Sequence, residues 1–274
     1  MRRLKTIFAV FKKDFTQLMR YPTWFIQLLI WPLIFPLLYI MSAYGMAGPD
    51  KSGLQAFQNS TGTGSFVGFI VVGTMAWMWV NTTMWSFGTY LREEQTRGTL
   101  ESNWLCPINK FDLLIGGGLV SVFQAIFICV VSMVEYRFIY GVHFTGNLFE
   151  WIVIFIIMMP GVYGLGALFA SLILWLKEAN AAVNIARGIM MILCGITFPI
   201  AVMPHWMRVL AKGIPFTYGI DAARQVMVNG EGLIGASYNI MLCLFEGALI
   251  FIIGRVLFKA IENKVKNSGS LERF

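Results

Sequence analysis

Charged and metal-binding residues are scarce in this sequence. Only 13% of its 274 residues are Asp, Glu, Lys or Arg, and it contains two histidines and four cysteines. The cysteines form no C-x-x-C pair, and three of them lie inside apolar runs, which favours small core residues over metal ligands or disulfides. His143 and His205 lie far apart without a supporting cluster, and we interpret each as a polar residue of an outer loop.

Motifs of nucleotide-binding and hydrolytic sites are missing as well. The sequence contains no G-x-x-x-x-G-K-[ST] phosphate loop, no H-E-x-x-H zinc motif and no G-x-S-x-G nucleophile turn. No pair of acidic residues occurs at a fixed spacing within one apolar helix. We therefore predict no catalytic residues, no metal site and no cofactor bound by this chain.

Apolar side chains, by contrast, are abundant, at 57% of residues and a mean hydropathy of +0.69. A soluble domain of this length cannot bury so much apolar surface, whereas apolar runs longer than about 18 residues suit membrane spans. We predict an all-α integral membrane protein with one domain over 23–258. Its six predicted transmembrane helices are 24–44, 65–90, 111–134, 148–176, 181–203 and 237–258.

Glycines cluster in two of these spans. The run 116–118 permits close backbone approach or local unwinding near the start of the third span. Pro160, Gly161, Gly164 and Gly166 indicate that the fourth span is breakable near its middle.

The N-terminal segment 1–22 is predicted to be an amphipathic helix that lies on the membrane surface. Its apolar residues recur at spacings of three and four, so they form one stripe, and the remainder is mostly basic. This pattern is typical of a helix on the anionic cytoplasmic leaflet, and the alternative is a simple basic anchor beside the first span. A basic cytoplasmic tail is predicted over 259–274.

The only charge-dense segment between two long apolar spans is 91–107, with the sequence LREEQTRGTLESNWLCP. Leu100, Trp104 and Leu105 contribute to an apolar face, and Pro107 marks a stop. We interpret the segment as a short amphipathic helix that lies where membrane meets water. The alternative is a solvated loop with ordinary charge pairs.

The same segment resembles the first cytoplasmic loop of ABC-2 type transporter permeases. The matching residues follow the second span and are Glu94, Arg97, Gly98, Thr99, Leu100, Glu101 and Pro107. The resemblance implies a permease without an ATPase of its own, which pairs with a separate ABC ATPase subunit. It also implies that 91–107 is the cytoplasmic coupling helix, whose charged face docks on this ATPase while its apolar face stays on the helix bundle. The implied coupling residues are Arg92, Glu93, Glu94, Arg97, Gly98, Thr99, Leu100 and Glu101.

The segment 204–236 is too polar to cross the membrane and too ordered in pattern for a plain loop. We predict a re-entrant pair of short helices at the outer face, before the last span. Fifteen Lys and Arg residues fall on the inner side of the predicted topology and five on the outer side. This bias predicts a multi-pass protein of the cell membrane (inner or plasma membrane) with both termini in the cytoplasm.

Two charged residues, Arg187 and Glu246, lie within predicted spans. A charge at that depth is costly unless it is used or paired, so each is a candidate functional residue. The alternative for both is a structural partner for polar groups on neighbouring helices. Resemblance to drug-efflux and lipo-oligosaccharide export permeases implies a substrate pathway along the second and fifth spans. The candidate pathway residues are Trp77, Asn81, Trp85, Met190, Met191 and Phe198.

The resemblance therefore implies the permease subunit of an ATP-driven exporter of amphipathic or lipid-linked substrates, such as drugs, lipids or glycolipids. Expected partners are the ABC ATPase, which binds ATP and Mg, a second permease copy in a homodimer, and membrane lipid. Nucleic acid is not expected, because the basic residues behind the net charge of +7 flank the spans instead of forming one patch. Two alternatives stay open: a membrane enzyme acting on lipids through Glu246, Asp221 or His205, and a proton-driven secondary transporter using Glu246.

Overall fold

The computed structural model of the chain describes residues 2–46, 65–176 and 179–268, which form helices joined by short turns. No strand occurs in these three stretches, and the all-α prediction is confirmed. The helices are α1 Arg2–Arg20, α2 Thr23–Met46, α3 Phe66–Thr96, α4 Leu100–Leu105, α5 Lys110–Ile139, α6 Leu148–Leu176, α7 Ala179–Leu193, α8 His205–Lys212, α9 Pro215–Met227, α10 Gly232–Gly235 and α11 Ser237–Ser268, with a 3₁₀ helix at Ile200–Val202. The predicted basic tail continues α11 as far as Ser268, and its remainder lies outside the described residues.

Five helices, α2, α3, α5, α6 and α11, are long and apolar enough to cross a membrane. A helix satisfies its own backbone hydrogen bonds, as hydrocarbon requires, and the predicted helical membrane class is confirmed. The predicted span 181–203 differs, because α7 is a shorter apolar helix that ends at Leu193. Gly195 has a φ of +65° just beyond that end, and Pro199 follows, so the helix cannot continue.

The helix α3 is the centre of the bundle. Most of its apolar part, Phe66–Phe87, is buried, and it packs against α2, α5, α6, α7 and α9. Ser65 begins the helix by accepting a hydrogen bond from the Gly68 amide at 3.0 Å. The helix α2, by contrast, leaves most of its apolar surface exposed.

Glycines let α6 and α11 pack backbone to backbone. A Cβ on Gly164 would lie 2.5 Å from the amide nitrogen of Phe251, and one on Gly247 would lie 3.0 Å from that of Gly161. Gly254 faces the carbonyl of Gly164 in the same way. Small residues of this kind allow membrane helices to approach closely. The helix α6 is continuous through Pro160 and these glycines, which form a packing surface.

The glycines at the start of α5 admit two neighbouring helices. The run 116–118 lies against Val10 of α1 and against Tyr90 and Phe87 of α3. Of the two sequence interpretations, close backbone approach is confirmed, because α5 is helical throughout this run. The predicted helix α1 therefore packs on α5 along one side, whereas Phe8 on its other side is 65% exposed.

The segment 204–236 forms three short helices, α8 to α10, and not the predicted pair, because the four-residue helix α10 follows the two longer ones. Arg224, which the predicted topology placed on the outer side, is buried. Its Nη2 donates to the carbonyls of Gly195 at 2.8 Å and Ile196 at 2.7 Å, and its Nη1 lies 3.3 Å from Asp221. These bonds satisfy backbone carbonyls that have no helical partner beyond the end of α7.

Replacing Gly164 by Ala tests the contact between α6 and α11. The new methyl would meet the backbone of α11, which cannot move aside as a flexible side chain can, so we expect overpacking to cost about 1–3 kcal/mol. Gly45→Ala in α2 is the matched control, since a Cβ there meets nothing within 4 Å. Thermal unfolding in neutral detergent should show a lowered midpoint for Gly164→Ala alone. Equal midpoints for the two variants would contradict this packing.

Candidate functional site

The segment 91–107 is not one helix. The helix α3 continues to Thr96, the chain turns at Gly98, and α4 begins at Leu100. Gly98 has a φ of +69°, a left-handed conformation that glycine adopts readily, and it breaks the helix there. The prediction of a single interfacial helix is therefore wrong, because its first part is the end of the central helix α3.

Glu94 faces inward, although it was predicted to contact a partner. Its side chain is 2% exposed, and its Oε1 accepts a hydrogen bond from Lys13 Nζ at 2.8 Å. Its Oε2 accepts from Thr99 Oγ1 at 2.8 Å and from Asn103 Nδ2 at 2.6 Å, and Arg97 Nη1 lies 3.5 Å from Oε1. The carboxylate thus joins α1, the end of α3, the turn and α4 in one cluster.

The environment of this cluster favours the ionised form of Glu94. Burial alone would raise the pKa of the carboxyl, but hydrogen bonds from Lys13 and Thr99 and the charges of Lys13 and Arg97 outweigh it, so the pKa lies below its usual value. Asp14, which lies 3.3 Å from Lys13 Nζ, shows the opposite shift. Burial raises the pKa of Asp14, and the nearby charge of Glu94 raises it further. The pKa values of these two neighbouring acids are therefore shifted in opposite directions.

The outward side of this cluster forms a charged surface, which we call the docking surface: Arg92, Glu93, Arg97, Glu101 and Leu105, all exposed. Leu105 is 87% exposed at the end of α4. Its predicted place on a bundle-facing side is wrong. Glu101 makes no ion pair with any residue the structure describes, so its charge is available to a partner.

Leu100 lies on the buried side of α4. It is 6% exposed and joins the apolar core, as predicted for the face that stays on the bundle. Lys110, at the start of α5, donates to the carbonyls of Asn103 at 3.1 Å and Cys106 at 2.6 Å. These bonds satisfy carbonyls at the C-terminal end of α4 and hold this short helix in place.

A cavity of about 950 Å³ lies between α1, α2, α3, α5 and α7. Along α3 it extends from Trp77 to Arg97, which is about 30 Å at 1.5 Å per residue. Four predicted pathway residues line it: Trp77, Asn81, Trp85 and Met191. Glu93 and Arg97 of the docking surface also line this cavity, so the two features share residues.

The other two predicted pathway residues, Met190 and Phe198, do not line the cavity. Phe198 lies beyond the end of α7, in the stretch that was predicted to continue the span. Three residues that sequence reasoning missed are Gln17 of α1 and Trp24 and Trp31 of α2. The tryptophans were a visible signal, but nothing in the sequence placed α2 beside α3 and α7.

Arg187 lies in the cavity wall among neutral partners. Its Nε donates to Asn81 Oδ1, its Nη1 donates to Asn184 Oδ1 at 3.1 Å, and its guanidinium carbon lies 4.9 Å from the centre of the Trp85 ring. No carboxylate of the described residues forms an ion pair with it. Glu246 on α11 does not line the cavity, so the two charges that were predicted to lie within spans are not brought together there.

The residues of the enzyme alternative do not form a hydrogen-bonded set. Asp221 pairs with Arg224, and His205 is exposed at the start of α8. Within the described residues, Glu246 Oε2 has no hydrogen-bond partner at all. The same part of the chain has no group of three or more His, Cys, Asp or Glu side chains that could hold a metal.

Residues 47–256 match the family model of the ABC-2 family transporter protein. The chain belongs to the ABC-2 transporter family. No curated protein matches it. The match includes α3, the docking surface and Arg187, whereas α1 and α2 precede it. As an ABC-2 permease the chain is a multi-pass membrane transport subunit and not itself an enzyme, which removes the lipid-enzyme alternative.

Replacing Glu94 by Gln tests the buried cluster of this ABC-2 permease, because it removes the charge and keeps the shape. A hydrogen bond to a charged group contributes about 1.5–3 kcal/mol, so we expect a loss of roughly that size in the free energy of unfolding at pH 7. Glu93→Gln is the matched control, since its 50% exposed carboxylate pairs with Arg97 at the surface, where such pairs contribute about 0.2–1 kcal/mol. Thermal unfolding of both purified variants measures the difference.

The effect of Glu94→Gln should also depend on pH. Because the pKa of Glu94 is lowered on folding, its stabilisation is present above the carboxyl pKa of the unfolded chain and is lost as pH falls through the folded value. The gap between wild type and Glu94→Gln should therefore close in acid. A gap that does not change with pH, or an equal loss for Glu93→Gln, would contradict a buried and ionised Glu94.

Proposed function

We propose that this protein is the permease subunit of an ATP-driven ABC exporter that moves amphipathic or lipid-linked substrates, such as drugs, lipids or glycolipids, out across the cell membrane. The observation that carries the proposal is that α3 belongs both to the docking surface and to the cavity wall. Energy enters from a separate ABC ATPase, which holds ATP and Mg and contacts the docking surface.

The docking surface has the chemistry that a soluble ATPase partner requires. Its four charged residues carry both signs, and Leu105 adds an exposed apolar side chain. Protein interfaces combine an apolar centre with a polar rim, and complementary charges select the partner. An isolated exposed leucine is ordinary, but this one lies at the tip of a helix that Glu94 and Lys110 hold in place.

Two routes connect the docking surface with the cavity. The helix α3 runs unbroken from the docking surface to Trp77, about 30 Å away along its axis. Glu94 ties Lys13 of α1 to the same end of α3, and α1 contributes Asp14 and Gln17 to the cavity wall. An ATPase that contacts the docking surface differently with and without ATP would therefore shift the permease between two arrangements of the cavity.

The proposal also implies how the permease is oriented in the membrane and with which subunits it assembles. The docking surface must face the compartment that holds ATP, and α1 lies on the same side because Lys13 bonds Glu94. Both termini then lie in the cytoplasm, provided that α7 and the short helices after it complete a sixth crossing beside the five long helices. The excess of basic residues on the predicted inner side favours this orientation. Two permease copies and two ATPases complete the exporter. A second copy or lipid would cover the exposed apolar row of α2, which comprises Ile26, Ile30, Ile34, Leu37, Leu38 and Met41. Proton drive through Glu246 has less support, because Glu246 does not line the cavity.

Glu101→Lys and Leu105→Asp test the docking surface without disturbing the Glu94 cluster. Changing one member of a desolvated contact commonly costs about 2–5 kcal/mol of binding, whereas an exposed charge outside an interface costs almost nothing. We expect both variants to insert and purify normally but to lose the co-purifying ATPase. Substrate-stimulated ATP hydrolysis in reconstituted vesicles should fall with it.

Arg208→Glu is the control for these variants. It is an exposed charge reversal on α8, a helix that packs against α7 and α9. It should retain the ATPase and transport normally. Normal ATPase retention and export by both Glu101→Lys and Leu105→Asp would show that the docking surface is an ordinary solvated loop.

A further inference from the structure

Two arginine side chains, Arg97 and Arg187, line the cavity, and their surroundings differ. Arg97, at the docking surface, pairs with Glu93 at 3.3 Å and with Glu94 at 3.5 Å. Arg187 has only the neutral oxygens of Asn81 and Asn184 and the face of a tryptophan ring as partners among the described residues. Arg187 is half-buried in an apolar helix, where a cation without an opposite charge is costly, so its place in the cavity wall indicates a ligand.

We propose that the cavity binds an anionic amphiphile, a molecule with an acidic phosphate or carboxylate headgroup and an apolar tail, and that Arg187 holds the headgroup. A guanidinium can bind such a group through two parallel hydrogen bonds. Nε and Nη1 donate to Asn81 and Asn184, whereas Nη2 makes no hydrogen bond to any residue in the described part of the chain. The two asparagines therefore orient the guanidinium and leave donors for the headgroup.

The charges along the cavity also favour binding of an anion near Arg187 over binding at the Arg97 end. Asn81, which binds Arg187, lies about 6 Å along α3 from Trp77 and about 24 Å from Arg97. Asp14 and Glu93 line the cavity towards the Arg97 end, where they repel an anion. An acidic headgroup is therefore held near the Trp77 end of the cavity.

The walls near Arg187 suit an apolar tail. They are aromatic and sulfur-containing side chains, which provide large apolar contact areas and adapt to different shapes. The residues are Trp24, Trp31, Phe35, Trp77, Met78 and Met191. This inference rests on the proposed function for the claim that the bound amphiphile is the transported substrate, but the binding itself can be measured without an ATPase.

Native mass spectrometry of the purified permease in neutral detergent tests the binding. The probes are dodecyl phosphate, dodecyltrimethylammonium with the same tail and opposite charge, inorganic phosphate alone, and dioleoyl phosphatidate. We expect wild type to retain dodecyl phosphate about tenfold better than dodecyltrimethylammonium, as charge-assisted pairing predicts. Arg187→Gln should abolish this preference, and Arg187→Lys, which keeps the charge without the two-pronged geometry, should keep part of it.

Arg208→Gln, which removes an exposed cation from α8, is the matched control and should bind as wild type does. Displacement of dodecyl phosphate by phosphatidate would identify a membrane lipid as the ligand, and its failure to displace would identify a single-chain amphiphile. Equal preference in wild type and in both Arg187 variants would overturn the proposal. Inorganic phosphate that competes as well as dodecyl phosphate would also overturn it, because the tail would then contribute nothing.

The outcome separates this inference from the proposed function. If the acid preference is absent while the assembled complex exports in an ATP-dependent way, only the role of Arg187 fails. If the acid preference is present but no ATPase binds the docking surface, the proposed function fails and the binding site remains. Arg187→Lys also decides the case if Arg187→Gln does not fold, since a preference as large as that of wild type would rule out two-pronged binding.

Discussion

The docking surface depends on the hydrogen bonds and the ion pair that the buried Glu94 carboxylate makes. A buried charge destabilises a protein unless it is paired and hydrogen-bonded. Lys13, Thr99 and Asn103 supply these bonds from α1, the turn and α4. The three elements keep fixed relative positions because they share one charge, and their outward side then presents Leu105 and Glu101 in a defined arrangement.

The helix α3 connects this surface with the membrane interior. It is buried along most of its apolar part, so it cannot move without its neighbours. The glycine run 116–118 of α5 brings the backbone close to Tyr90 and Phe87 of α3, and Arg224 joins α9 to the end of α7. The permease is thus tightly packed around α3, whereas the cavity lies on the side of α3 that faces α1, α2 and α7.

The membrane class and the order of most helices could be predicted from the sequence, because hydrocarbon permits little except apolar helices. The end of α7 could not, since the apolar run continues through Phe198 and hydropathy does not report backbone geometry. The helix stops because Gly195 adopts a positive φ and Pro199 follows it, and the sequence alone does not show that Gly195 adopts this conformation.

The residues of the candidate site could largely be predicted from the sequence, but the direction in which each side chain faces could not. The motif identified Glu94 as a charged residue, but its main partner, Lys13, lies 81 residues away, and no local pattern shows which way the carboxylate faces. For the same reason Leu105 was assigned to the wrong side of α4. The tryptophan and asparagine residues of α3 that were predicted to lie along a pathway line the cavity, whereas the contribution of α1 and α2 could be seen only from the packing of the bundle.

The most direct measurement asks whether nucleotide binding to a docked ATPase changes the cavity. It uses a solvent-sensitive fluorophore attached to a cysteine that replaces Ser86, a residue of α3 that lines the cavity. Cys106 would be replaced by serine, because it is the exposed cysteine and the other three are buried. In the assembled complex we expect a non-hydrolysable ATP analogue to shift the emission, since α3 is unbroken between the docking surface and the probe. An unchanged emission, with the ATPase bound and loaded with nucleotide, would contradict coupling through α3.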